Sequence, residues 1–124
     1  MKKNLKPPKN LNLFTIYFPL PAVISILHRM SGVLIFLALP LITYLFCQSL
    51  ISQSSYLEVI KILKLWPIKL IQLVLIWGII HHLITGCRHL LLDMLIGIDL
   101  GVARLTSRTI LIISFLLTFV ITIL

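Results

Sequence analysis

Between Met30 and Leu57 the chain carries no acidic or basic residue, and Leu70–Ile80 and Thr109–Leu124 are equally free of charge. About 20 apolar residues suffice to cross the hydrocarbon core of a bilayer as a helix. The helix is favoured there because it satisfies its own backbone N–H and C=O groups where no water is present. The pattern predicts an all-α membrane protein with three transmembrane helices, over about 22–49, 67–92 and 107–124. Residues 1–21 precede them as a basic amino-terminal and interfacial segment. Pro21 suits the first turn of the first helix, and Trp66-Pro67 marks an interface and the start of the second. Pro40 is expected to kink the first helix. Leu11–Leu20 is apolar but too short to span, and Pro19 and Pro21 prevent a helix from running through it. Ile51–Lys64 reads as a connection, helical in part. Asp93–Thr106 reads as a loop punctuated by Gly97 and Gly101.

Composition agrees. Hydrophobic residues make up 60% and charged residues 11%, against about 45–50% and 25% in soluble domains. The length leaves room for one small domain. The net charge of +8 comes from residues that flank the apolar runs. They are topology signals and anionic-lipid contacts, and nucleic acid is not an expected partner. Lys2, Lys3, Lys6, Lys9, Arg29, Arg88, Arg104 and Arg108 belong to the amino end and the second loop; only Lys61, Lys64 and Lys69 belong to the first loop. That asymmetry puts the amino terminus inside and the carboxy terminus outside. No cleavable signal follows Met1–Lys9, and the absence of a transit peptide fits a bacterial inner membrane. Cys47 and Cys87 lie in apolar runs and read as small core residues rather than a disulfide.

Polar residues inside such runs are costly, so they face protein, water or a bound group. The richest stretch is His81-His82-Leu-Ile-Thr85-Gly86-Cys-Arg88-His89-Leu-Leu-Leu-Asp93. On a helix, His82, Gly86 and His89 form one stripe at i, i+4 and i+7. Its two imidazoles stand roughly 10 Å apart at ~1.5 Å per residue. A flat metal-bearing macrocycle fits this stripe: His82 on the metal, Gly86 clearing space, His89 and Arg88 at the acidic edge. His81 points about 100° away, with Thr85 and Arg88, and is the competing ligand. With three spans, Ser25, His28 and Arg29 share a depth with Arg88 and His89. Two carboxylates of a porphyrin suit Arg29, Arg88, His28 and His89. Arg29 with Ser25 suits a quinone carbonyl, whose reduction develops negative charge and takes up protons. The plainer alternatives are snorkelling of Arg29, Arg88 and His89 to headgroups, and helix-to-helix bonding by the intramembrane histidines. Trp66 reads as an interfacial anchor and Trp77 as a packing residue; Gly78 and Gly86 are candidates for close helix contact. No nucleotide loop, cysteine cluster or paired carboxylates are present, so the chain does not itself dehydrogenate a substrate. One axial histidine leaves a six-coordinate haem iron in need of a second from another subunit.

The segment Ser25-Ile-Leu-His28-Arg29-Met-Ser-Gly32, taken with His82-x-x-x-Gly86-x-Arg88-His89-x-x-x-Asp93, resembles the cytochrome b556 membrane-anchor family of succinate dehydrogenases. Asn-Leu-Asn-Leu-Phe-Thr-Ile-Tyr-Phe-Pro, ending at Pro19, is similar to the family's stretch before its first helix. The resemblance covers essentially the whole chain. It implies a subunit of a four-subunit succinate:quinone oxidoreductase, with a flavoprotein, an iron–sulfur protein and a second membrane anchor as partners. Haem b would be shared between the anchors, and ubiquinone would be the electron acceptor. Carried over by motif, His82 is the axial ligand, Ser25 and Arg29 border the quinone, and His28, Arg29 and His89 approach the haem propionates. The doubled His81-His82 departs from the family, whose pattern requires only the second; spacing to Gly86 and Arg88 favours His82. Two other readings remain at this level: the anchor of a fumarate reductase, and a cofactor-free membrane adaptor or transporter component.

Overall fold

The computed structural model describes residues 17–124. The lysine-rich end and most of the expected interfacial segment lie outside the described residues. Four helices follow: α1 (Leu20–Ser49), α2 (Gln53–Leu63), α3 (Trp66–Asp93) and α4 (Leu100–Ile123). α1, α3 and α4 are each long and apolar enough to cross a membrane. α1 and α3 both begin with proline in the first turn, where its missing N–H is not needed. α1 continues through Pro40. The short α2 is capped by Ser52, whose hydroxyl accepts from the Ser55 amide at 3.1 Å, a cap that typically stabilises a helix by about 1 kcal/mol. Gln72 Nε2 then donates to the Leu63 carbonyl at 3.1 Å and ties α3 to the end of α2.

α4 starts several residues before the expected position, so part of the Asp93–Thr106 loop is helical and Arg104 and Arg108 sit on helical turns. The reading from charge located the end of the apolar span. Backbone hydrogen bonding does not stop where lipid does. The connection is closed by Leu95 N–H on the Leu92 carbonyl and Ile96 N–H on the Leu91 carbonyl, both at 2.9 Å. This is the paired pattern that satisfies a helix C-terminus. It places Leu95 at φ 61 and Gly97 at φ 79, so the helix turns on a leucine where glycine is the usual occupant.

α3 is the central helix, packed against α1 on one side and α4 on the other. The interior is polar. Ser31, His81, Thr85, Arg88, Ser107, Ser114 and Thr118 are buried, whereas Ile24, Val59 and Ile110 are the only buried apolar residues among those described. Phe36, Leu37, Phe115 and Phe119 face outward. Cys47 and Cys87, expected in a core, are exposed as well. The reason is common to all: lipid tails are as apolar as leucine, so burial of apolar side chains does not drive helix association, and small and polar residues mark the contacts instead. Gly78 is one such contact. A Cβ built there lies 3.3 Å from Leu34 Cδ2 and 3.9 Å from Ser31 Cβ. Gly78→Leu should therefore push α1 from α3 and lower stability by about 1–3 kcal/mol, measured as earlier thermal unfolding in detergent. An unchanged transition would contradict this packing.

Candidate functional site

The two helical stripes of α3 have different neighbours. His82 and His89 meet α1 through His28; His81, Thr85 and Arg88 are buried, with His81 and Arg88 reaching α4 through Ser114 and Thr106. The neighbouring histidines, 100° apart on one helix, thus have different side-chain partners, His82 on α1 and His81 on α4, while the His81 ring also meets the Ile24 backbone of α1.

His82 sits in a well-defined cradle. Its Nδ1 lies 3.1 Å from the His28 carbonyl oxygen and 3.3 Å from Ser31 Oγ. The Ser31 hydroxyl itself donates to the His28 carbonyl at 2.8 Å. A carbonyl can only accept, so Nδ1 carries the hydrogen, and the neutral imidazole then has its lone pair on Nε2. This is the tautomer a metal-binding imidazole needs, with its second nitrogen fixed by a carbonyl. The ring is held on two further sides. His28 stacks on it with centroids 4.1 Å apart and an interplanar angle of 11°. Gly32 faces its edge so closely that a Cβ there would stand 3.0 Å from Cε1.

His28 is the hinge of the cluster. Its ring also approaches His89, with centroids 5.1 Å apart. Its Nε2 is buried without a hydrogen-bond partner, 3.5 Å from the position of a Cβ on Gly86. Gly86, expected to clear space for a macrocycle, clears space here for the His28 ring. A buried nitrogen without a partner is uncommon and points to a group that completes it. An acidic edge entering beside Gly86 has the right chemistry. Among the described residues no group of three or more His, Cys, Asp or Glu could hold a bare metal ion. The donor set present, one imidazole lone pair beside a second imidazole with an orphan nitrogen, fits a haem rather than a chelated ion.

Not every expected residue joins the cluster. Arg88 faces the other seam, where its Nε donates to Thr106 Oγ1 at 3.1 Å. Arg29 is exposed and is the one charged residue lining a mostly apolar groove of about 600 Å³ between α1 and α3, with Met30, Ser31, Leu34, Val74 and Trp77. Ser25, one turn earlier, is half-buried and does not line that groove. His81, the competing ligand, is fully buried. Ser31 and Gly32 had no assigned role. Their signal was available: two adjacent small residues in an apolar helix mark a close approach. What they approach was not. Ser31→Ala removes one of two acceptors for His82 Nδ1 and leaves the carbonyl. It should cost about 0.5–1 kcal/mol, seen as a small loss of thermal stability with the ring orientation retained.

Comparison with known proteins bears on this arrangement. Residues 3–121 match the family model described as succinate dehydrogenase/fumarate reductase transmembrane subunit. The succinate dehydrogenase cytochrome b556 subunit of Coxiella burnetii is 34% identical over 115 residues, covering 91% of this chain and 91% of that protein. The protein of the same name from Rickettsia bellii is 34% identical over 105 residues, covering 84% and 82%. That of Paracoccus denitrificans is 26% identical over 101 residues, covering 82% and 78%.

Proposed function

Because the chain belongs to the succinate dehydrogenase/fumarate reductase transmembrane subunit family, we propose that it anchors a succinate dehydrogenase by binding haem b and ubiquinone. Its relatives named cytochrome b556 subunit favour this direction over a fumarate reductase. One observation carries the haem reading: His82 Nδ1 engages the His28 carbonyl, so the neutral ring would offer Nε2 to hold the iron of a haem. His28 and His89 would meet the propionates, with Arg29 adding charge from the neighbouring position on α1. Arg88, bonded to Thr106, would act on the same edge only at longer range. The other membrane anchor would complete the holding of the haem.

A haem held here would supply reversible one-electron storage. The chain's own residues do the rest. His82 orients and holds the ligating nitrogen. The outward apolar faces keep water from the seam. Arg29 offers a guanidinium to a quinone carbonyl as negative charge develops, and Ser25 a hydroxyl that can hold or pass a proton. Electrons would arrive from an iron–sulfur partner fed by a flavoprotein. The bacterial relatives favour a bacterial inner membrane, and the basic residues put the amino terminus in the cytoplasm.

The test is co-expression with the neighbouring subunits. A purified complex with flavoprotein and a succinate-reducible b-type spectrum supports the reading; a colourless chain with no flavoprotein attached points to a cofactor-free adaptor. Within that complex, Arg29→Ala should lower quinone reduction ~10–100-fold, the scale of a charged hydrogen bond. Dye reduction at the flavoprotein should be spared. Equal loss of both activities would argue for an assembly defect.

A further inference from the structure

We propose that His81 is a positioning residue: bonded into the α3–α4 seam, it sets the rotation of α3 and so aims the neighbouring His82 at α1. The proposal rests on His82 being the haem ligand. His81 is fully buried, as are Thr85 and Ser114. Its Nε2 lies 3.4 Å from Thr85 Oγ1 and its Nδ1 lies 3.5 Å from Ser114 Oγ, and the ring also meets the Ile24 backbone of α1, so its side-chain partner on α4 is Ser114. Trp77 stacks on the ring, with centroids 5.0 Å apart and an angle of 14°, and Phe115 of α4 stacks on Trp77 at 5.5 Å. Two turns further along the same stripe, Arg88 reaches Thr106.

A helix in lipid gains little by choosing one apolar face over another, so rotation about its axis is decided by polar and small-residue contacts. Toward α4 those contacts lie on the His81–Thr85–Arg88 stripe, and they act together with the Gly78 and His82 contacts toward α1. A rotation that loosened His81 from Ser114 would move His82 Nδ1 off the His28 carbonyl. α4, which contributes none of the contacts found for the His28–His82–His89 cluster, thereby acts on the ligand through His81.

The test uses the complete complex carrying His81→Phe, Ser114→Ala, both together, or His81→Asn. Phenylalanine keeps an aromatic ring against Trp77 and deletes the polar atoms; asparagine returns a polar group near the Nδ1 position. Ile110→Val, also buried on α4, loosens packing alone. The expected result is retained pigment with a shifted low-spin haem signal and midpoint potential in His81→Phe. Ser114→Ala should shift both in the same direction. The double variant should shift no further than His81→Phe, and His81→Asn should return towards the unmodified values. Unchanged signal and potential in His81→Phe would overturn the proposal, as would additive shifts or an equal shift from Ile110→Val. His82→Ala tests the underlying reading separately. Pigment kept there but lost in His81→Phe would overturn the ligand assignment itself.

Discussion

A His82→Ala chain, assembled with its partner subunits, should lose the reduced b-type absorption, whereas His81→Ala should keep a b-type band. The expected loss is complete because the substitution deletes the proposed iron-binding nitrogen rather than tuning it. Removing a group that only orients a ligand typically costs about 10–100-fold in affinity. The contrast between adjacent residues excludes a general effect of deleting an intramembrane imidazole. His81 lies in the α4 seam against Ser114, and His82 lies against His28 and Gly32. An unchanged spectrum in His82→Ala, recorded per mole of anchor, would remove the haem assignment and leave a three-span anchor.

Gly32→Val should have the second-largest effect, from a residue that carries no chemistry. A bare Cβ at Gly32 already stands 3.0 Å from His82 Cε1. A methyl there asks the ring to give by a few tenths of an ångström, and the branched methyls of valine cannot fit without moving it. Displacing the ring breaks the Nδ1 contacts to the His28 carbonyl and Ser31, and overpacking of this kind costs about 1–3 kcal/mol. The chain should still insert, since valine is well tolerated in a membrane span, yet most of the pigment should be lost. Pigment per inserted polypeptide is the measurement. Gly32→Ala should fall between the two. Full pigment in Gly32→Val would show that the cradle around His82 is not needed as built.

Much of this site was legible in the residues. The apolar runs required membrane helices. The i, i+4, i+7 spacing put His82, Gly86 and His89 on one stripe and His81, Thr85 and Arg88 on another. Topology brought His28 near His89, and the structure has their rings in contact. The features that fell elsewhere did so for different physical reasons. Arg88 was grouped with the propionate set by depth, and depth says nothing about direction around the helix. α4 was begun at the end of the charged stretch because hydropathy reports the lipid boundary, not the last hydrogen bond. The leucine at φ 61 that ends the α3 turn had no local signal, since glycine is the usual residue there.

Covalent order and helical period determine the angle between any two residues on α3, so the sequence alone separates His81 from His82 by 100°. It also determines that the chain spans lipid, because no other solvent tolerates such faces. The absolute rotation of α3 is a different quantity. It depends on Gly78 admitting α1, on Gly32 of α1 admitting His82, and on Ser114 and Thr106 receiving His81 and Arg88, contacts between residues far apart in the chain. Only the packed helices decide which imidazole faces which seam, because in lipid the apolar surface is indifferent to rotation and a few close polar contacts are not.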